Sequence, residues 1–285
     1  MRDAEPEAIS PTRLAEAYAW LAEGPIRPIA GGTDLMVALA AETLEPPERV
    51  LDLWRLDELR GISEDGGDLV VGALTTWTEL RRSAVVLARL PVLAEAAATI
   101  GAVQIQNRGT LGGNVVNASP AGDALPVLLA TDAILELGGL RGERTVAAAD
   151  FWPAYRRTAL APDELLLRVR FPSAPGREVR YRKVGTRRAQ AISKVVMAVG
   201  WRPDAEGRWR DVRVAVGSMG PTPMRAPRAE ATLEGQLPTE ILADRVAGAL
   251  SEDLSPIDDV RSTAAYRRAV SARILMRILR EEGGW

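Results

Sequence analysis

Residues 108–123 read RGTLGGNVVNASPAGD. Two adjacent glycines, two asparagines, a threonine, a serine and one carboxylate fall in this short stretch, with no lysine among them. Glycine accepts positive φ and lets main-chain N–H groups come close to a ligand. Successive N–H groups at a turn or a helix N-terminus make an anion site. A second stretch of this kind, AGGTD at 30–34, lies at a strand-to-helix junction. Neither is a Walker A loop, because no GK[ST] follows, and Gly109, Gly112 and Gly113 have the wrong spacing for GxGxxG. Two loops of exposed amides predict a ligand long enough to touch both and charged in its middle, as a dinucleotide is. The competing reading is two ordinary turns whose Asn, Ser, Thr and Asp side chains cap neighbouring backbone.

Near the N-terminus, Ser10-Pro11 predicts an N-cap with proline at the first helical position, and Leu14, Tyr18 and Leu21 recur at helical spacing up to Gly24. IRPIA (26–30) reads as a buried strand, DLMVALAAE as a helix and RVLDL (49–53) as a second strand. DLVVGAL (68–74) opens a further unit, with Thr76 capping a short helix through Arg82 and a longer helix over 84–100. After the 108–123 loop come DALPVLLAT as helix, AILELGG as strand, FWPAYRRTAL (151–160) as a turn of helix, and ELLLRVRFP (164–172) as strand. The last third changes character. REVRYRKVGTRR, ISKVVMAVGWRP and WRDVRVAVGSMGP alternate apolar and polar residues, which predicts antiparallel strands with one face covered. Trp201 and Trp209 flank the expected hairpin turn and read as cross-strand packing. Helices follow over 226–234, 238–250 and 263–281, the last with Tyr266, Val270, Ile274, Met276 and Ile278 on its apolar side. SAPGRE (173–178) is the boundary candidate.

The chain's 285 residues are 47% hydrophobic and 26% charged, which predicts a packed core and room for two domains. A net charge of −2 gives no general pull toward nucleic acid or anionic membrane. The basic run Arg177, Arg180, Arg182, Lys183, Arg187, Arg188 reads as a solvated strand face or a partner-docking face. MRDAEPEAIS has no apolar run after a basic start, and no stretch reaches ~18 apolar residues. A cytoplasmic protein with no membrane span is therefore expected. Cysteine and histidine are both absent. That removes thiolate nucleophiles, a Ser-His-Asp triad, imidazole metal sites and cysteine-held iron–sulfur clusters. No catalytic side chain and no metal ligand is expected in this chain, and a redox centre would have to be brought in.

AGGTD, RGTLGGNVVNASPAGD and YRKVGTRRAQAISKV (181–195), in that order, resemble the FAD-binding medium subunit of the molybdenum hydroxylases. That family includes xanthine dehydrogenase and carbon monoxide dehydrogenase. The resemblance spans essentially the whole chain and is nearest to bacterial xanthine dehydrogenase flavin subunits. It implies an α+β protein: two α/β subdomains of the PCMH-type (vanillyl-alcohol oxidase-like) FAD-binding fold, at 1–56 and 57–173. An α+β C-terminal domain, 178–285, follows with a three-stranded antiparallel sheet and helices. It also implies roles. Ile29, Ala30, Gly31, Gly32 and Thr33 form the first flavin loop, and Asp34 caps the next helix. Thr110, Gly112, Gly113 and Asn114 form the second, with Thr110 and Asn114 on the phosphates or ribityl chain. Ser119 and Asp123 meet the adenosine end, unless Asp123 only caps a helix. Ile100 and Leu167 pack near the cofactor, and Lys194 either approaches the flavin or is a solvated charge.

The same resemblance implies partners: a large molybdenum–pterin subunit and a small subunit with two [2Fe–2S] clusters, arranged as a dimer of heterotrimers. FAD would pass electrons to NAD+ or another acceptor. Purine or a related N-heterocycle or aldehyde is the implied holoenzyme substrate. The His-Ser that carbon monoxide dehydrogenases often carry after the paired glycines is Thr33-Asp34 here, and the missing cysteines exclude a 4-hydroxybenzoyl-CoA reductase type. A stand-alone flavin oxidoreductase of MurB type and an FAD-free scaffold are the rival readings.

Overall fold

The structure is a computed structural model and describes residues 6–187 and 190–285. Arg188, part of the basic run, lies outside the described residues. Three parallel strands open the fold: β1 (Glu7–Ile9), β2 (Arg27–Ile29) and β3 (Arg49–Asp52), in the order β1-β3-β2. Helices α1 (Leu14–Ala22) and α2 (Thr33–Ala40) form the crossovers that parallel strands require. Helix α1 starts three residues later than Ser10-Pro11 predicts. Ser10 hydroxyl donates to the Asp52 carboxylate, while the Glu58 carboxylate accepts from the Leu14 N–H at 3.0 Å. A side chain distant in sequence thus takes the capping role.

The second unit is a five-stranded sheet ordered β4-β5-β8-β6-β7. Its strands are β4 (Ile62–Asp65), β5 (Asp68–Gly72), β6 (Ile134–Gly139), β7 (Gly142–Ala147) and β8 (Leu165–Phe171). Every pairing in it is antiparallel, so this unit is α+β rather than α/β. Between β5 and β6 run α3 (Trp77–Arg82), α4 (Ala84–Arg89), α5 (Pro91–Ala98), α6 (Val103–Gln106), α7 (Leu111–Asn117) and α8 (Leu125–Ala130). Thr76 caps α3 through a reciprocal capping box with Glu79, as its sequence predicts. The helix expected over 84–100 is broken at Leu90, whose φ −148° and ψ 63° leave the helical region ahead of Pro91. FWPAYRRTAL is not helical. It is a turn closed by an Ala154–Arg157 bridge, with Arg156 at φ 56°.

The last unit is the antiparallel sheet β12-β11-β10-β9. Strands β9 (Glu178–Val184), β10 (Val195–Pro203) and β11 (Trp209–Gly217) match the three alternating segments, and a two-residue β12 (Met224–Arg225) adds a fourth. Helices α9 (Pro227–Leu233), α10 (Glu240–Asp253) and α11 (Ala264–Gly283) complete it. Both faces of this sheet are covered, where one was expected. Val196 and Ala198 join the core of the second unit, while Val195, Met197, Val199 and Trp201 pack with α9–α11. This is why β10 reads as a continuous apolar run. Trp201 and Trp209 stack with centroids 4.1 Å apart. On α11 the buried apolar side is Ile274, Leu275, Ile278 and Leu279; Tyr266 is exposed. The basic residues of β9 and the arginine just before it face neighbouring acids: Arg180 pairs with Glu282, Arg182 with Glu281, and Arg177 with Asp132. Among the described residues no helix is long and apolar enough to cross a membrane.

Candidate functional site

A cleft of about 1510 Å³ lies where the three units meet. That exceeds the ~300–1,000 Å³ common for drug-sized ligands and suits a longer molecule. Its walls include Ile29–Asp34, Thr110, Gly112–Asn114, Ser119–Asp123, the Tyr155–Arg156 turn and Gln190–Ser193. The two glycine loops therefore do converge. They also touch: a Cβ on Gly31 would overlap the Arg108 carbonyl oxygen and stand 2.5 Å from its carbon.

The loops differ in what they offer. Gly32, at φ 74°, is the N-cap of α2, and no side chain caps this helix. Asp34 therefore does not cap it. The first helical bond runs from Met36 N–H to Gly32 O at 2.9 Å, and among the described residues the amides of Gly32, Thr33, Asp34 and Leu35 have no partner. Four unpaired amides at a helix N-terminus, with the positive end of its dipole, form an anion site. The carboxyl of Asp34 is exposed to the cleft but crowded by its walls. That desolvation raises its pKa, and the Arg156 guanidinium opposes the rise.

The second loop is not the free turn its sequence predicts but the start of α7. Its amides are already bonded: Leu111 to Thr75 O at 3.0 Å, Gly112 to Ala73 O at 2.8 Å, Gly113 to Thr110 Oγ1 at 3.0 Å and Asn114 to Thr110 O at 3.1 Å. Gly112 is required by packing, since a Cβ there would lie 2.7 Å from Ala73 Cβ. What this loop presents is side chains. Thr110 caps α7 through its oxygen and keeps its hydroxyl proton to donate. Asn114 Oδ1 is buried without a hydrogen-bond partner. A buried acceptor left unpaired costs about 1–3 kcal/mol.

Asp123 is 9% exposed and does not cap α8, whose N-cap is Ala124. Its Oδ2 accepts from Lys183 Nζ at 2.6 Å, and Lys183 also donates to Thr99 O at 2.9 Å. Asp123 Oδ1 is buried and unpartnered. Burial pushes the Asp123 pKa up, and Lys183 pulls it back, with a smaller pull from the nearby Ser193 hydroxyl, whose hydrogen bonds go to Ala121 O and Ser218. Nearby, Ser119 Oγ accepts from Ala121 N–H at 3.3 Å and retains a proton to donate.

Of the apolar candidates, Ile100 lines the cleft and Leu167 does not. Leu165 and Leu166 reach the wall, whereas Leu167 packs in the core of the first unit. Lys194 also lies off the wall. Its ammonium sits 5.0 Å from the Tyr266 ring centroid, directed at α11 by its place just before β10. Lys183 is off the wall too, but it reaches the cleft residue Asp123, which reading the basic run as a solvated face passes over. One signal could have found it: Lys183 and Lys194 are the only two lysines in the chain.

Known proteins match this architecture along its length. The profile of the FAD binding domain in molybdopterin dehydrogenase matches residues 4–174, and that of the CO dehydrogenase flavoprotein C-terminal domain matches residues 171–282. The chain is 32% identical to the carbon monoxide dehydrogenase medium chain of Hydrogenophaga pseudoflava, over 95% of this chain and 94% of that one. It is 30% identical to the xanthine dehydrogenase FAD-binding subunit of Escherichia coli O157:H7, over 94% and 92%. The solved carbon monoxide dehydrogenase from Hydrogenophaga pseudoflava, in a form lacking the Mo-pyranopterin moiety, superposes with a TM-score of 0.92 over 97% of this chain and 96% of that one, at 33% identity. With both profiles, the full-length relatives and the fold in agreement, the chain belongs to the family of FAD-binding medium subunits of the molybdenum hydroxylases.

Proposed function

We propose that the cleft binds FAD through two unlike loops and that the chain relays electrons for a complex whose substrate chemistry lies on other subunits. The observation that carries this is the row of four unpaired amides at Gly32–Leu35, set in one cleft with two unpartnered buried oxygens. Those amides would hold the diphosphate. Asn114 Oδ1 and the Thr110 hydroxyl would meet polar groups of the ribityl chain or phosphates. Asp123 Oδ1 accepts and the Ser119 hydroxyl donates, as sugar hydroxyls require. Ile100, Leu165 and Leu166 give apolar wall and keep water from it.

FAD supplies the redox chemistry, and the protein supplies binding, orientation and electrostatics. This explains how a chain without cysteine or histidine serves an oxidoreductase. A large molybdenum–pterin subunit and a small [2Fe–2S] subunit, in a dimer of heterotrimers, complete the reading, with NAD+ or another acceptor taking the electrons and the cytoplasm as the site. Xanthine, hypoxanthine or a related N-heterocycle or aldehyde is the substrate class that KVGTRRAQAISKV favours. Carbon monoxide is the second reading, because the relatives named for the two substrates match almost equally. Co-purification of the native complex tests both: partner subunits are expected, with xanthine-dependent and not CO-dependent reduction of FAD. Purification of this chain without partners contradicts the relay.

Asn114→Leu separates a ligand-binding asparagine from a structural one. Removing the unpaired acceptor leaves the apo chain as stable as the wild type or more so. FAD binding weakens about tenfold, or ~1.4 kcal/mol. Thermal melting and fluorescence titration read the two effects. Lost stability with unchanged FAD affinity contradicts the assignment.

A further inference from the structure

Ser193 and Ser218 are buried together beside the cleft, their hydroxyls 3.3 Å apart. Ser193 Oγ donates to Ala121 O at 3.2 Å, Ser218 N–H donates to Pro120 O at 2.8 Å, and Ser218 Oγ donates to Ser193 O at 2.9 Å. The Ser119–Asp123 turn is thus held by residues of the C-terminal domain. Ser218 adopts φ 65°, a left-handed conformation that a serine keeps only when its surroundings enforce it.

Arg267 closes this knot. It lies in the first turns of α11 and is 4% exposed. Its Nη1 donates to Lys194 O and to Ser218 O, each at 3.2 Å, and its Nη2 donates to Asp259 Oδ1 at 2.7 Å. Its Nε is buried with no partner, and the residue borders the cleft. Asp259 in turn accepts from the N–H groups of Arg261 at 2.8 Å and Ser262 at 3.1 Å, so the turn beside exposed Ile257 is fixed as well. One planar fork thereby joins the end of β11, the start of β10 and the α10–α11 connection.

We infer that Arg267 is a positioning residue of the cofactor site: it locks the Ser193–Lys194 segment and the Ser218 bend to the Asp259 turn, and so sets the C-terminal wall of the cleft. The inference rests on the reading that FAD occupies this cleft. A dinucleotide anchored at Gly32–Leu35 and long enough to use the cleft meets that wall, where Ile192 and Ile257 offer exposed apolar surface to a flat ring. Arg267 acts on the cofactor through the segments it holds.

The test reconstitutes full-length R267M and R267K with FAD and reads affinity, melting temperature and the visible circular dichroism of the bound flavin. Ile274→Ala, a core change in the same helix, is the control for stability alone. Lysine keeps the charge but lacks the fork that spans three acceptors. Both Arg267 variants are expected to bind FAD about tenfold more weakly, or ~1.4 kcal/mol, and to lose flavin dichroism. Ile274→Ala lowers the melting temperature and leaves the dichroism unchanged. Wild-type dichroism in an Arg267 variant overturns the inference, whatever its melting temperature; if R267M does not fold, R267K decides. A folded wild-type chain that takes up no FAD defeats the parent reading instead, a result distinct from a bound flavin left undisturbed.

Discussion

Gly31→Ala lowers the melting temperature of the full chain by roughly 10 °C and abolishes FAD uptake. The added methyl would meet only main-chain atoms: the Arg108 carbonyl and, at 3.0 Å, Gly109 N. A flexible side chain could turn away, but here one glycine loop must move off the other. Overpacking of a core costs about 1–3 kcal/mol and more where backbone must shift. At the upper end, ~3 kcal/mol corresponds to roughly 6–12 °C for a chain of this size class. FAD uptake fails separately, because the unpaired amides of Gly32–Leu35 and the side chains of α7 no longer share one cleft. A thermal melt and a flavin absorbance scan read the two effects. A variant that melts like the wild type and turns yellow refutes the loop-to-loop contact.

Lys183→Met has the next largest effect, and it depends on pH. Breaking a buried ion pair by removing one partner costs about 3–5 kcal/mol, because the remaining charge has nothing to offset its burial. Asp123 is the remaining charge. Burial already raises its pKa, and Lys183 is the main influence lowering it. Without Lys183 the pKa rises further, so the folded state binds a proton that the unfolded chain releases. Stability is then retained at acid pH and falls as pH rises from the ordinary carboxylate range through the raised pKa. Denaturant melts of variant and wild type should lie closest near pH 4 and diverge toward neutrality. FAD affinity falls as well, because Lys183 no longer holds the Asp123 carboxylate in place. Melts that run parallel at every pH contradict a buried Asp123–Lys183 pair.

Much of this site could be read from residue types alone. Two glycine pairs with threonine, asparagine and aspartate predict a polar ligand, and the two stretches do line one cleft. What the sequence concealed is that the loops have unlike tasks. Both read as turns of free amides, but Gly112 and its neighbours bond to Ala73 and Thr75 on the connection after β5. Which amides stay free is fixed by a segment remote in sequence, and no local pattern reports it. The Ser10 cap failed for the same reason, since Glu58 displaces it through a tertiary contact. The helix break at Leu90 was legible in Pro91 but is masked by the alanine and leucine on either side. Alternation in the last third gave the strands correctly but predicted one covered face. The second face is buried only because this sheet docks on the FAD-binding units, which is also why Lys183 reaches Asp123.

Hydrogen exchange on the full chain, with and without FAD, tests this division of labour most directly. The amides of Gly32, Thr33, Asp34 and Leu35 should exchange quickly in the apo chain and slow on addition of FAD. Those of Leu111–Asn114 should be slow in both, since their bonds are internal. Protection gained by the second loop, with Gly32–Leu35 unchanged, would contradict the account.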